Sequence, residues 1–433
     1  MRFTTIDLFA GAGGITEGFR QAGAFCLYAN DFNPEAVATF RRNHPEPVAE
    51  ACPIAEISPG KLRRSLGLAK GELDALVGGP PCQGFSINAP GRFLDDPRNK
   101  LFSNYLGFVQ EFRPKTLLFE NVTGMLSLEK GAVFQKVVHE LEALGYFCEA
   151  KVLFAAHYGV PQERWRLIIL GSRVGLAIEH PLPTHYLRRR ANFTGGKTLT
   201  FPLDESHRGL LRPPVTVADA ILDLPEPIPA GGKDVGLEYR DAPSASRFST
   251  EMRGDTRLLF NHVEPRLSPV NLERLKHIKP GGSWRDIPFA LLPAGMKKAR
   301  RSDHTKRYGR LHPDGLASTI MTKCDPHWGP VFHPVCERSL TVREAARFQS
   351  FPDHYVFEGS KVAQYEQVGN AVPPLLARAL AFRLIEHVGR NQVRFLCRGK
   401  GPSRRRSTKW PWLFPPQGIF PRRVPTSTRF KMP

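Results

Sequence analysis

A cysteine and a glutamate, each following a short apolar segment, are the residues of this sequence best suited to chemistry. Cys82 lies in the segment GGPPCQGFS, residues 78–86, whose prolines and glycines would hold it rigidly in an exposed loop. A cysteine attacks as its thiolate, and its ordinary pKa of about 8.5 leaves only a few per cent ionised at neutral pH. Glu120 follows the apolar run 116–119, and a buried carboxyl group there would have a raised pKa and could donate a proton. The alternative for Cys82 is a loop cysteine without a chemical role, since no nearby motif supplies a histidine base.

A run of small residues near the N-terminus could accommodate a cofactor. Residues 7–14 read DLFAGAGG, which would let a ligand approach the backbone closely at the start of a helix. The segment is not the dinucleotide pattern G-x-G-x-x-G, because Thr16 stands where the third glycine belongs. Asp31 follows the second apolar segment, where a carboxylate could accept hydrogen bonds from ribose hydroxyls. A purely structural turn and helix capping remain the alternatives for these two features.

Two later segments add candidates for binding. Arg164 and Arg166 alternate in a predicted strand, so they would share one face and favour an anion. Ordinary surface ion pairs are the alternative for both arginines. The segment QVGNAVPP, residues 367–374, precedes the last regular helix, and a helix start at two prolines is its simplest structural explanation.

These candidates follow the strands of an alternating strand–helix pattern. The predicted strands are 4–9, 25–30, 73–77, 116–119, 146–153 and 167–170, and the predicted helices are 15–22, 34–43, 132–144, 342–348 and 374–387. The alternation predicts an α/β fold with a doubly wound, Rossmann-like sheet. Such sheets bind ligands beyond the carboxyl ends of their strands, where the polar candidates should meet. Between residues 171 and 339 no periodicity is sustained, which predicts a separate, mostly irregular or β region.

Composition and charge favour a globular protein that binds a polyanion. Hydrophobic residues make up 41% of the 433, and no run of 18 apolar residues occurs, so we expect no conventional membrane span. The seven cysteines are scattered without a CxxC pair, so neither a zinc site nor a disulfide framework is expected. The net charge of +20 is uneven: zero over 1–171, +8 over 172–340, zero over 341–387 and +12 over 388–433. The basic middle predicts a nucleic-acid partner, and the Pro-rich basic end predicts a disordered tail.

Taken in order, these segments resemble the C5-cytosine DNA methyltransferases. The matching motifs are residues 7–14, 79–83 (GPPCQ), 96–102 (DPRNKLF), 120–122 (ENV), 162–166 (QERWR), 340–352 (LTVREAARFQSFP) and 369–374 (GNAVPP). Each motif is moderately specific by itself, whereas the seven in the family's order are highly specific. The resemblance implies methyl transfer from S-adenosylmethionine to C5 of a cytosine flipped out of duplex DNA, without a metal. S-adenosylhomocysteine would be the second product.

The resemblance also implies roles for individual residues. Cys82 would attack C6 of cytosine, Glu120 would protonate N3, and Arg164 would make a supporting contact at the base. The implied catalytic set is Cys82, Glu120, Asn121, Arg164 and Arg166. The implied cofactor-binding set is Asp7, Phe9, Ala10, Gly11, Gly13, Gly14, Asp31, Pro80, Leu101, Asn370 and Val372, with Asn370 at the methionine end. The family's acidic residue for the adenine amino group has no plain counterpart: Ala51 or Cys52 aligns with it, and Glu50 would need a register shift.

The predicted organisation is a catalytic domain from 1–175 and 340–390, a target-recognition domain at 176–339 and a basic tail at 391–433. We expect double-stranded DNA as the substrate of a monomeric, cytoplasmic bacterial or phage enzyme of the restriction–modification type, without a membrane partner. A cognate restriction endonuclease would act on the same site. Two alternatives remain. A tRNA cytosine-5 methyltransferase is disfavoured by the long basic middle, and a catalytically silent DNA-binding relative by the intact Cys82, Glu120 and Arg164.

Overall fold

The computed structural model describes residues 2–81, 100–239 and 246–397. Its strands are β1 (Thr4–Leu8), β2 (Phe25–Asp31), β3 (Val48–Ala51), β4 (Ala75–Gly78), β5 (Thr116–Val122), β6 (Phe147–Phe154), β7 (Gln162–Glu163), β8 (Trp165–Ser172), β9 (Leu237–Glu238), β10 (Leu258–Leu259) and β11 (Ala317–Ser318). Its helices are α1 (Gly14–Gln21), α2 (Pro34–Asn43), α3 (Pro59–Ser65), α4 (Lys100–Phe112), α5 (Ala132–Ala143), α6 (Gly196–Leu199), α7 (Val217–Ile221), α8 (Arg247–Arg253), α9 (Pro269–Lys276), α10 (Ala294–Lys297), α11 (Val342–Phe348), α12 (Lys361–Asn370) and α13 (Pro374–Cys397). Cys82 and most of the predicted tail lie outside the described residues, so the predictions about them stay predictions.

Seven of the strands form the central sheet, in the order β3-β2-β1-β4-β5-β8-β6. Strands β1 to β5 are parallel, and the order reverses between β1 and β4, where α/β sheets bind their ligands. The doubly wound α/β prediction is confirmed, with one strand of opposite direction: β8 runs antiparallel to both β5 and β6. Only residues 155–164 separate β6 from β8, which is too short for the crossover that a parallel pair requires.

Local sequence signals set the starts of two helices. The Asn33 side chain accepts hydrogen bonds from the next two free backbone N–H groups of α2, and Pro34 occupies the first helical position. At α11, Thr341 and Glu344 form a reciprocal capping box. Both helices therefore begin where the sequence predicts them to begin.

The last helix is longer than the sequence predicts. α13 was expected to end near His387, but it continues to Cys397 and so includes the first residues of the predicted tail. Within the added turns, Glu386 pairs with Arg390, and the Asn391 side chain donates to the His387 carbonyl at 2.9 Å. Such contacts one turn apart support the helix beyond His387, where we expected it to end.

Helices α1 and α13, which are far apart in the sequence, pack together on one face of the sheet. One buried cluster contains Ile15 and Phe19 of α1, Val77 and Leu118 of the sheet, and Leu376, Leu380 and Leu384 of α13. A Cβ at Gly18 would lie 2.4 Å from the Pro374 carbonyl oxygen, so the two helices need a glycine at their crossing. The stretch Lys361–Asn391 is long and apolar enough to cross a membrane, but 67% of its most apolar window is buried, which is typical of a core helix.

The predicted recognition region contributes to two different cores. Val217, Ala220, Ile221, Phe248 and Met252 join the cluster beneath the central sheet. Leu275, Ile278, Trp284, Ile287, Met296, Tyr308 and Phe332 form a cluster of their own. Buried ion pairs tie the first part to α11, because Arg347 lies 3.2 Å from Asp223 and 2.6 Å from Asp353. The predicted recognition region therefore shares one core with the central sheet and has a second core of its own, within one compact unit that spans residues 1–402. The predicted boundaries at 175 and 339 stay predictions.

Candidate active site

Glu120 and Arg166 form a nearly buried ion pair where β5 and β8 meet. Arg166 Nε lies 2.8 Å from Glu120 Oε1, and each side chain is 13% exposed. Burial raises the pKa of Glu120, and the positive charges of Arg166 and Arg164 oppose that shift. Glycine at position 79 leaves room for the carboxyl group, since a Cβ there would lie 2.8 Å from Glu120 Oε2. The arrangement suits a carboxyl group that donates a proton at the end of a strand.

Arg164 is turned to other partners, although it is only two residues from Arg166. Its side chain is fully buried, and one guanidinium nitrogen donates to the carbonyls of Gly369 and Ala371, both at 2.9 Å. A second nitrogen donates to the Ile320 carbonyl at 3.4 Å. Arg164 therefore connects the turn between α12 and α13 to Ile320, which lies two residues after β11. Its predicted contact with the base stays a prediction, and Arg166 is the arginine beside Glu120.

Asn121 fixes the start of the loop that leads to Cys82. Its side-chain nitrogen donates to the Pro80 carbonyl at 2.9 Å, and Pro80 is itself buried. Pro80 is two residues before Cys82, which lies outside the described residues. The end of β5 thus supplies both the candidate acid, Glu120, and the side chain that anchors the candidate nucleophile's loop.

The small residues after β1 form a tight loop that is closed on one side and open on the other. Gly13 has φ 91° and lies directly before α1, and Phe9 and Gly11 also have positive φ. A Cβ at Gly14 would lie 2.3 Å from the Val372 carbonyl oxygen, so this residue must be glycine for the loop to meet the turn before α13. A Cβ at Gly11 would meet no described atom within 4 Å. The open side at Gly11 is where a ligand could contact the backbone.

Asp31 links this loop to the end of β2. One carboxylate oxygen accepts from the Gly11 N–H at 2.8 Å, and the other accepts from the Asn33 N–H at 2.9 Å. Burial raises the pKa of Asp31. Each oxygen keeps a further acceptor site, so the carboxylate can hold the loop and still accept a hydroxyl group. The predicted capping role belongs to Asn33 rather than to Asp31.

Asp7 lies below the loop rather than on its surface. It is completely buried and accepts a hydrogen bond from the Thr16 hydroxyl at 2.7 Å. Its other oxygen has no partner among the described residues. Burial raises the pKa of Asp7 to about 7. Of the remaining predicted cofactor residues, Leu101 lies half-buried in the first turn of α4 and Asn370 is exposed at the end of α12.

The sequence analysis missed an aromatic residue next to Asp31. Phe32 is 72% exposed, which is unusual for so large an apolar side chain. Its only sequence signal is its position directly after the carboxylate at a strand end. Nearby, the Tyr28 hydroxyl donates to Glu50 at 2.7 Å, while the Cys52 N–H donates to the Asp31 carbonyl at 3.1 Å. Glu50 is thus occupied by Tyr28, and Cys52 is the residue whose backbone lies beside Asp31.

Comparison with known proteins places the whole arrangement in one family. The family model described as C-5 cytosine-specific DNA methylase matches residues 3–386. The type II methyltransferase M.AgeI of Thalassovita gelatinovora is 39% identical, over 87% of this chain and 98% of its own. The type II methyltransferase M1.HphI of Haemophilus parahaemolyticus is 35% identical, over 88% and 86%. A solved structure of a DNA modification methyltransferase encoded within an E. coli prophage shares the fold, with a TM-score of 0.66 at 24% identity over 89% of this chain and 99% of that one.

Proposed function

Because the chain belongs to the C-5 cytosine-specific DNA methylase family, we propose that Cys82, Glu120 and Arg166 together activate a cytosine flipped out of duplex DNA. The chain is a DNA (cytosine-5)-methyltransferase, and its methyl donor is S-adenosylmethionine. C5 of an intact cytosine is a weak nucleophile, and a stacked base is out of reach of a side chain. Both obstacles require the protein to extract the base and to change its electronic structure.

The proposed chemistry begins at C6 and ends with the aromatic ring restored. The Cys82 thiolate forms a bond to C6 with its electron pair. The electrons of the C5–C6 double bond shift towards N3, which takes a proton from Glu120, so C5 becomes electron-rich. S-adenosylmethionine, when bound, supplies the methyl group that C5 accepts. Water from the solvent then takes the C5 proton, the electron pair left behind restores the C5–C6 double bond and expels the Cys82 thiolate, and N3 returns its proton to Glu120.

The observation that carries this assignment is the Arg166–Glu120 pair. Arg166 uses Nε for Glu120, and a second nitrogen donates to the Trp165 carbonyl at 2.8 Å. A guanidinium has five N–H donors, so further donors remain for the carbonyl oxygen of a cytosine whose N3 meets Glu120. We therefore assign the contact with the base to Arg166. Arg164 acts as a positioning residue, because its donors are directed to backbone carbonyls.

The residues after β1 and β2 fit S-adenosylmethionine. Asp31 has acceptor sites for the ribose hydroxyls, and the exposed ring of Phe32 offers a stacking surface for the adenine. Gly11 leaves the backbone open to a ligand at this edge. Asn370 belongs to the turn that meets Gly14 and would hold the methionine end.

Residues 176–339 supply the recognition of DNA in this proposal. This region carries most of the net positive charge of the described residues, and it includes the exposed run Arg188, Arg189 and Arg190. Positive side chains neutralise DNA phosphates and so provide affinity for any sequence. The relatives named as type II methyltransferases indicate a restriction–modification role. We propose a cytoplasmic, monomeric enzyme that protects a site which a cognate endonuclease cleaves.

The test uses substrates that separate the candidate reactions. Incubation with tritiated S-adenosylmethionine should label duplex DNA and leave tRNA unlabelled. Duplexes with 5-fluorocytosine at the target should remain attached to the wild-type protein on a denaturing gel, because fluorine cannot leave C5 as a cation. Cys82→Ser should form no such adduct but should still bind the duplex, since an alcohol is a far poorer nucleophile than a thiolate. Methylation by the serine variant at the wild-type rate would exclude covalent catalysis by Cys82.

A further inference from the structure

The most basic exposed segment of the described chain is the loop at 297–307, called here the basic loop. Its sequence, KKARRSDHTKR, holds six basic side chains and one acidic one. Nearly every residue from 297 to 306 is exposed, while Met296 and Tyr308 on either side are buried. Both flanking residues belong to the second apolar cluster, so the two ends of the loop are fixed by packing. A strongly positive, solvent-facing segment on a packed base suits a nucleic-acid contact.

Hydrogen bonds hold the backbone of the basic loop in one shape. The Trp284 indole N–H donates to the His304 carbonyl at 3.1 Å, and its backbone N–H donates to the Arg307 carbonyl at 3.0 Å. Arg285 and Arg301 each donate to the other's carbonyl, at 2.6 and 3.1 Å. These bonds engage the loop's carbonyls. The loop is therefore ordered before it meets a partner, which lowers the entropy cost of binding.

The C-terminal end of the basic loop lies close to the catalytic strands. Lys306 Nζ lies 3.0 Å from Glu163 and 3.1 Å from the Ser318 hydroxyl, and β11, which contains Ser318, pairs with β7. Glu163 is three residues from Arg166, and three residues span at most about 10 Å. That is roughly three base-pair steps of about 3.4 Å along a DNA strand. The Lys306 end of the basic loop thus lies within a few base-pair steps of a cytosine held at Glu120, and Arg300, six residues away along the loop, lies at most about 20 Å from Lys306.

Arg300 is the side chain of this loop that is best placed to read a base. Its backbone is fixed by Asp303, whose carboxylate accepts from the Arg300 N–H at 3.2 Å and whose N–H donates to the Arg300 carbonyl at 2.8 Å. Within the described part of the chain its guanidinium pairs with no carboxylate, whereas Arg301 is committed to Arg285 and Lys306 to Glu163. An exposed guanidinium on a fixed backbone is the donor pair that matches O6 and N7 of guanine in the major groove.

We infer that the basic loop determines sequence specificity, and that Arg300 reads a guanine within a few base pairs of the target cytosine. This inference rests on the proposed function, because it assumes that duplex DNA is the substrate. The inference assigns recognition of the DNA sequence to one loop and one side chain, rather than to the whole of residues 176–339. Lys306 acts as a positioning residue, since its contact with Glu163 sets the distance between the loop and the reacting base.

The experiment measures methylation of a duplex library with random positions around the preferred site, by bisulfite sequencing. Arg300→Gln and Arg300→Lys should both lose discrimination at one guanine position by roughly 5- to 150-fold, while the other positions keep their preferences. The lysine variant is the sharper test, because it keeps the charge and loses the forked donor pair. Arg64→Gln, on α3 and exposed at the far side of the sheet, is the control and should leave specificity unchanged.

Other outcomes would overturn the inference. A uniform loss of affinity for every sequence in Arg300→Gln, with a shallower dependence on salt and recovery in Arg300→Lys, would make Arg300 a phosphate contact only. If a folded, active Arg300→Lys protein kept the wild-type sequence preference at every position, the residue that recognises the guanine would have to be another one. Absence of DNA methylation by the wild-type protein would contradict the proposed function instead, so the two failures are distinguishable.

Discussion

At the scale of single residues, the candidate site separates two arginines that the sequence presents as a pair. Arg164 and Arg166 differ by two positions, yet the first donates to backbone carbonyls and the second to the Glu120 carboxylate. A cation beside a buried acid lowers its pKa, whereas burial raises it. Arg166 therefore adjusts the ionisation of Glu120 in addition to any contact with the base.

We predict that Arg166→Gln moves the pH dependence of methylation to higher pH. Removing the opposing charge should raise the pKa of Glu120 further, so the protonated acid should persist to higher pH. The alkaline limb of the single-turnover rate should shift upwards, while the rate itself falls because a base contact is lost. Single-turnover methylation measured between pH 6 and pH 10 (about one point per half unit) tests this prediction.

The companion variant is Glu120→Gln, which removes the titrating group and keeps a hydrogen-bonding side chain of similar shape. It should lower the rate by about 10²- to 10⁴-fold and abolish the alkaline limb, with cofactor affinity little changed. An alkaline limb that stays at the same pH in Arg166→Gln and in Glu120→Gln would assign it to another group. A change confined to cofactor affinity would remove Glu120 from the acid role.

At the scale of elements, the cofactor loop depends on one glycine for packing and on another for access. A Cβ at Gly14 would collide with the Val372 carbonyl, whereas a Cβ at Gly11 would meet no described atom. The first glycine therefore joins the start of α1 to the turn before α13. The second keeps the opposite side of the loop open.

We predict that Gly14→Ala destabilises the protein more than Gly11→Ala. Alanine at 14 forces the backbone at Val372 to move, which costs about 1–3 kcal/mol. Alanine at 11 would meet no described neighbour, but the left-handed backbone conformation at this position costs a residue with a Cβ about 1–2 kcal/mol of stability. Its methyl group would lie on the cofactor side. Thermal unfolding and calorimetric titration with S-adenosylhomocysteine measure the two effects.

Gly11→Ala should thus lose cofactor affinity with a smaller loss of stability than Gly14→Ala, which should lose both. Equal unfolding temperatures for the two variants would mean that the approach of Val372 to α1 does not limit stability. Cofactor affinity at the wild-type level in Gly11→Ala would place the ligand away from the open side of the loop.

Elements set by neighbouring residues could be predicted, and those set by distant contacts could not. Asn33 and Thr341 cap their helices through residues two or three positions away, so the starts of α2 and α11 follow from sequence alone. The partners of Arg164 are about 200 residues away, and only the folded chain brings them together. The same reason explains the burial of Arg347 with Asp223. The sequence therefore predicts Glu120, Arg164 and Arg166 as candidates, but it does not show which arginine meets the acid.

At the scale of the whole molecule, three buried histidines make the fold sensitive to acid. His44, His180 and His333 are each less than 5% exposed. Burial lowers their pKa values to about 4, about 3 and about 4 respectively, so all three are neutral in the folded protein at neutral pH. Each would have to take up a proton in a site that disfavours its charged form.

We predict that these histidines lower the free energy of unfolding as the pH drops from about 6.5 towards 4, while Asp7, whose pKa burial raises to about 7, contributes in the opposite direction. In that range the unfolded chain binds protons at these histidines and the folded chain does not. Their contribution to the free energy of unfolding is therefore fully present above the pKa of an unfolded histidine, about 6.5, and declines below it. The limiting slope is about 1.4 kcal/mol per pH unit for each proton. Urea unfolding at a series of pH values measures it.

A histidine on the surface provides the control for this prediction. His180→Gln should make the pH dependence less steep, because it removes one of the buried groups, whereas His139→Gln on the exposed face of α5 should leave the slope unchanged. An equally steep pH dependence in His180→Gln and in the wild type would contradict the assignment to this buried histidine, whatever the total change in the free energy of unfolding.

The contact between Gly14 and the turn before α13 has a consequence for protein synthesis. The loop that would hold the cofactor is translated first, but the turn that closes it is encoded after the whole recognition region. A ribosome must therefore release α13 before α1 acquires its packing partner. Premature termination before α13 would therefore leave a product that contains the cofactor loop and the basic loop but lacks the turn that closes the cofactor loop.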